Sequence, residues 1–148
     1  MKAYSRILAV VDLSHDSQHI AHRALQMAAC HPGAQLTLLH IVEFVPVEPL
    51  SDSLLPAVQV ESELLASARE RLAQLADTLS TPPPPWRVES GNVKVEIVRA
   101  AREGGFDLIV IGSHERHGLS ILLNLTEDTV LHAAPCDVLA VRLPMERA

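Results

Sequence analysis

Five short aliphatic runs recur along the chain, and the segments between them carry helical periodicity. The runs are Arg6–Val11 (RILAVV), Gln35–Val42 (QLTLLHIV), Trp86–Glu89 (WRVE), Leu108–Ile111 (LIVI) and Val138–Leu143 (VLAVRL). Most lack the polar alternation of a strand with one wet face, so they suit strands covered on both sides, as in a parallel sheet layered by helices. WRVE does alternate, which places it at a partly exposed edge. Strand, helix and strand at this spacing predict an α/β fold, with one doubly wound sheet of five mostly parallel strands and about four helices.

The connecting segments have their own punctuation. Ser14 offers an N-cap to a first helix whose apolar positions include Ile20, Ala21, Ala24, Leu25 and Ala28, and His31-Pro32-Gly33 stops it. Glu43 to Pro56 reads as a loop. Val58 to Leu79 reads as a helix with Val60, Leu64, Leu65, Ala68, Leu72, Leu75, Ala76 and Leu79 as its apolar stripe. Arg69, Glu70 and Arg71 fall on its charged side. Pro82 to Pro85 form a stiff connector, and Asn92 caps a helix from Val93 to Glu103 with Val95, Ile97, Val98 and Ala101 inward. Thr126 caps a last helix, Glu127 to His132, and Pro144 ends the fifth strand.

The chain has 148 residues, enough for one domain, and its net charge of −6 argues against a nucleic-acid partner. Its four aromatic residues offer no stacking platform for bases. No stretch approaches the ~20 apolar residues of a membrane span, and no signal peptide is visible, so a cytoplasmic protein is expected. Cys30 and Cys136 are too few for a disulfide framework, and Cys136 reads as a small buried filler.

Ligands of open parallel sheets sit beyond the carboxyl ends of the strands, so Gly112-Ser113-His114-Glu115 is where a site is expected. His15, His19 and His22 lie at i, i+4 and i+7 and can share a helix face, a spacing compatible with zinc or nickel. No further ligand is fixed beside them, so no metal is assigned. His40, within a strand, reads as a hydrogen-bonded core or edge histidine. No nucleophile elbow, phosphate-loop signature or zinc-protease motif is present, and no catalytic residue is assigned.

The segments ILAVVDLSHDS, LTLLHIVE, FDLIVIGSHERHGL and VLHAAPCDVLAVR together resemble the universal stress proteins, over nearly the whole chain. That resemblance implies an adenine nucleotide alpha-hydrolase-like domain over residues 1–148 and a sheet order of 3-2-1-4-5. It also implies a homodimer through the C-terminal strand, here Val138, Leu139, Ala140, Val141 and Arg142. One branch of the family binds ATP with a motif of glycine, two residues, glycine, nine residues, and glycine followed by Ser or Thr. Gly112 matches its first glycine, but Glu115 stands at the second, Asn124 at about the third, and Leu125 at the hydroxyl position. Gly118 matches another glycine of the loop, and Thr126 offers a hydroxyl one residue late. Asp12 matches the acidic residue near the ribose, and Ile41 a position whose backbone lies by the adenine.

A carboxylate at Glu115 would oppose phosphate: two unit charges ~4 Å apart at an effective dielectric of ~20 interact by about 4 kcal/mol. The chain therefore is more similar to the branch typified by universal stress protein A, which lacks the intact motif. The expected function is a stress-response binding or regulatory protein without evident catalysis and without a tightly held cofactor. Two alternatives stay open: an ATP- or AMP-binding switch with slow hydrolysis, and a histidine-based metal-binding protein.

Overall fold

The computed structural model describes residues 3–43, 55–113 and 130–143. The elements run β1 (Arg6–Val10), α1 (Ser17–Ala29), β2 (Gln35–Val42), α2 (Leu55–Leu79), β3 (Trp86–Ser90), α3 (Val93–Glu103), β4 (Leu108–Ser113) and β5 (Asp137–Arg142). Residues 130–133 are also helical. The strands form one sheet in the order β3-β2-β1-β4-β5. All four ladders are parallel, with Ala9 beside both Leu38 and Val110. The α/β fold, strand order and parallel pairing are those expected of the sequence.

Side-chain alternation splits the core into two layers. Ile7, Ala9, Val11, Leu38, Leu108 and Val110 face Ile20, Ala21 and Ala24 of α1 and Leu72, Leu75 and Ala76 of α2. Leu8, Val10, Leu39, Ile109 and Ile111 face Ile97, Ala100 and Ala101 of α3 together with Val130. Both neighbours of a central residue are thus apolar, which is why these runs do not alternate. The strands lying at the two edges are β3, as its sequence pattern predicts, and β5.

Below the sheet, Asp107 ties β1 to β4. Its carboxylate accepts from the Ser5 and Arg6 backbone N–H groups at 2.8 and 3.0 Å and from Ser5 Oγ at 3.0 Å. Burial opposes its ionisation, but these donors outweigh that and hold the carboxyl below its ordinary pKa. Tyr4 adds a second tie, its hydroxyl donating to Asp137 Oδ2 at 2.8 Å.

Several boundaries and faces differ from expectation. Helix α1 starts at Ser17 with Asp16 as N-cap, not Ser14. The Ser14 hydroxyl instead accepts from the Asp16 N–H at 3.3 Å, inside the turn before the helix. Helix α2 begins at Leu55, ahead of Val58, because Pro56 falls in the first turn, where a helix needs no N–H. Strand β4 continues to Ser113, since Gly112 and Ser113 still pair with Val141 and Arg142. Val60, Leu64 and Val95, expected inside, are 47, 44 and 53% exposed. Periodicity reports a helix's apolar flank without reporting how much of it is covered.

Candidate functional site

The carboxyl ends of β1 and β4 lie side by side, so Asp12 and Gly112 stand at neighbouring strand ends. Glu115, Gly118, Asn124, Leu125 and Thr126 lie outside the described residues, as do His114 and His117.

Beyond Val10 the chain makes one more ladder bond, Val11 N–H to Leu39 O at 2.9 Å, and then turns. Asp12 Oδ1 accepts from the Ser14 N–H at 3.0 Å and from Ser17 Oγ at 3.2 Å, folding the turn over its own carboxylate. Asp12 thus serves as a turn residue ahead of α1, whose N-cap is Asp16. The next residue, Leu13, has φ of 63° although it is not glycine. A buried, γ-branched side chain in the left-handed region is strained, and such positions persist only where neighbours hold them. Here the holder is Arg71 of α2, whose Nη2 donates to the Leu13 carbonyl.

His40 completes the group. Its Nδ1 lies 2.8 Å from the Val11 carbonyl. A carbonyl only accepts, so Nδ1 carries the proton and Nε2 is the basic atom of the neutral ring. Burial lowers its pKa, the Val11 carbonyl and Asp12 oppose that, and Arg71 adds to it. Asp12, His40 and Arg71 thus surround one turn, with two of its carbonyls, Val11 and Leu13, tied down from β2 and α2. A cleft of about 440 Å³ opens beside it between α1 and α2, with Leu13, His15, Gln18, Arg71 and Gln74 in its wall.

The sign of the His40 effect follows from linkage. A folded-state pKa below the unfolded value means that acidification protonates the unfolded chain first. Its contribution to stability is intact above the ordinary histidine pKa, falls as pH drops below it, and levels off below the folded value. Thermal denaturation between pH 7.5 and 5 is expected to show a shallower decline in His40→Gln than in the native protein.

Gly112 is placed by packing. A Cβ there would lie 2.7 Å from Ile20 Cδ1 and 2.9 Å from Leu143 Cδ1. Its backbone is paired within β4 and β5, and no positive φ is needed. Ile41 is 6% exposed and sits in the core layer under α3. His19 and His22 are exposed on α1, but His15 is exposed in the turn before Asp16, so the three do not share one helix face as their spacing predicts. Among the described residues, no three His, Cys, Asp or Glu side chains are grouped so as to hold a metal ion. Along β5, Val141 is buried, Val138 and Leu139 are half-buried, and Ala140 and Arg142 are exposed.

Sequence reasoning brought Asp12 and Gly112 to the same rim. It missed Arg71, which it assigned to a charged helix face. An arginine on the flank of a helix that otherwise carries leucine and alanine was the available signal, but its partner is 58 residues away.

The comparisons agree with this architecture. The model of the universal stress protein family matches residues 3–142. Universal stress protein A homolog 1 of Coxiella burnetii is 38% identical over 139 residues, 93% of this chain and 96% of the relative. The solved structure of universal stress protein UspA from Lactobacillus plantarum superposes with a TM-score of 0.75 at 27% identity, covering 96% of this chain and all of that one. A universal stress protein solved in complex with cAMP shares the fold, with a TM-score of 0.63 at 22% identity and 95% of this chain covered. The strand order, the rim at β1 and β4 and these matches have one reading: the chain belongs to the universal stress protein family.

Proposed function

We propose that this protein is a cytoplasmic, homodimeric stress-response regulator of the universal stress protein A type, acting by binding and not by catalysis. The observation that carries the dimer is the position of β5. It is an edge of the sheet, six residues long, with Val138, Leu139 and Ala140 in its centre. An apolar edge of this length invites pairing with another strand, and a second copy of β5 related by a two-fold axis closes it. Among the described residues no helix is long and apolar enough to cross a membrane. Sedimentation velocity at micromolar concentration is expected to give a species of about twice 16.1 kDa. Replacing Ala140 with proline removes a ladder donor and is expected to leave a folded monomer. A monomeric native protein refutes the dimer.

The regulatory half of the reading rests on what surrounds Asp12. Its carboxylate is engaged by Ser14 and Ser17, Gly112 is filled around by Ile20 and Leu143, and in sequence Glu115 replaces the second glycine of the nucleotide-binding motif. A second reading, an ATP- or AMP-binding switch, is favoured by one observation, the adjacency of Asp12 and Gly112 at the sheet's carboxyl rim, and by the cAMP complex of the similar protein. Calorimetry with millimolar ATP and Mg²⁺ separates the two: no heat is expected, and saturable heat weakened in Asp12→Ala supports the switch.

A further inference from the structure

The side of the sheet away from Asp12 carries a second concave surface. Helix α3 turns Lys94, Val95, Val98 and Arg102 to one flank, at the three- and four-residue spacings that share a helix face. Ala133 closes the far side of a groove of about 500 Å³. Val95 in its wall is 53% exposed, and Leu131, which is not in its lining, is 57% exposed. These are the two most exposed large apolar side chains among the described residues. Arg99 is held by Glu96 at 3.1 Å, whereas Lys94 and Arg102 have no ion-pair partner among the described residues.

We propose that this groove docks an acidic amphipathic helix of a partner protein. The distance from Val95 to Arg102 is seven residues, ~10 Å along the axis, which accommodates two turns of an incoming helix. Val95, Val98 and Ala133 would receive its apolar stripe, and Lys94 and Arg102 would pair with flanking carboxylates. The charge pattern selects the partner. The net charge of −6 attracts basic segments to the surface generally, but in this lining Lys94, Arg99 and Arg102 outnumber the one carboxylate, Glu103, so a carboxylate-bearing helix is favoured over a basic one. The groove stands apart from the β1–β4 rim, so the proposal is independent of any nucleotide there.

The test uses the full-length protein and two fluorescein-labelled synthetic helices, both with leucine at i, i+4 and i+7. One carries glutamate at the remaining positions and the other lysine. Anisotropy is expected to show saturable binding of the glutamate peptide only, weakened several-fold when salt rises from ~0.1 to ~0.5 M. The double variant Lys94→Glu, Arg102→Glu is expected to weaken it about tenfold or more, and Val95→Ser severalfold. These side chains are on the surface, so circular dichroism should be unchanged in both variants. Absence of binding, or equal binding of the two peptides, overturns the proposal. So does a change of sedimenting mass in the variants, which would assign the groove to contact between copies of this chain. Loss of the β5 dimer in Ala140→Pro with peptide binding retained would separate this surface from the dimer interface.

Discussion

Replacing Gly112 with alanine is expected to destabilise the protein by about 1–3 kcal/mol, the usual cost of inserting a methyl group into a filled core. The new Cβ would stand 2.7 Å from Ile20 Cδ1 and 2.9 Å from Leu143 Cδ1, inside any real carbon–carbon contact. Both atoms end flexible side chains, but Ile20 is 3% and Leu143 3% exposed, so neither has open space to retreat into. Removing Cδ1 with Ile20→Val relieves the shorter contact. The double variant Gly112→Ala, Ile20→Val should therefore recover part of the loss, with a coupling energy beyond the ~0.5 kcal/mol scatter of independent sites. Urea denaturation of the four proteins in the cycle measures it. Additive losses would show that Gly112 is needed for something other than room for α1, such as close approach of a ligand.

The second large effect concerns Arg71. Substituting methionine retains the aliphatic stem and removes the donor to Leu13 O, which is expected to cost about 2 kcal/mol, as for a hydrogen bond from a charged group. Leu13 would be left at φ 63° without its tether, and the turn carrying Asp12 should loosen. Lysine keeps the charge but has neither the reach nor the planar fork of the guanidinium, and should restore only part of the loss. Hydrogen exchange at Ser14 and Ser17 reports the turn directly. Faster exchange confined to this turn is the expected result, and unchanged exchange would show that the tether does not hold it.

How much of this was legible in the residues depends on the range of the interaction. β2 and α3 have the boundaries that their patterns predict, because local signals coincide there. Asn92 Oδ1 accepts from the Val95 N–H at 3.1 Å as an N-cap should, and Gly104-Gly105 follows the last turn. The parallel sheet was legible in the alternation of elements, and the strand order only through the resemblance. What was not legible is long-range. Leu13 has no sequence feature that marks a positive φ, and Arg71 looks like any surface arginine until α2 is placed beside the β1 turn. Gly112 reads as the start of a ligand loop when seen one-dimensionally. In three dimensions it is a paired strand residue whose missing side chain lets Ile20 pack against β4. Val60, Leu64 and Val95 were placed inside because a periodic stripe was assumed to be covered along its whole length. For Val95 that excess is the material of the α3 groove.

These particulars support a common account: Asp12 and Gly112 lie at neighbouring strand ends, where Asp12 holds the β1 turn and Gly112 leaves room for α1. On the proposed reading, the protein works through surfaces, the β5 edge and the α3 groove. Native mass spectrometry of untagged protein, purified without added nucleotide, tests both halves in one spectrum. The account predicts a species of about twice 16.1 kDa with no bound small molecule. A monomer, or a dimer carrying the additional mass of an adenine nucleotide, would contradict it.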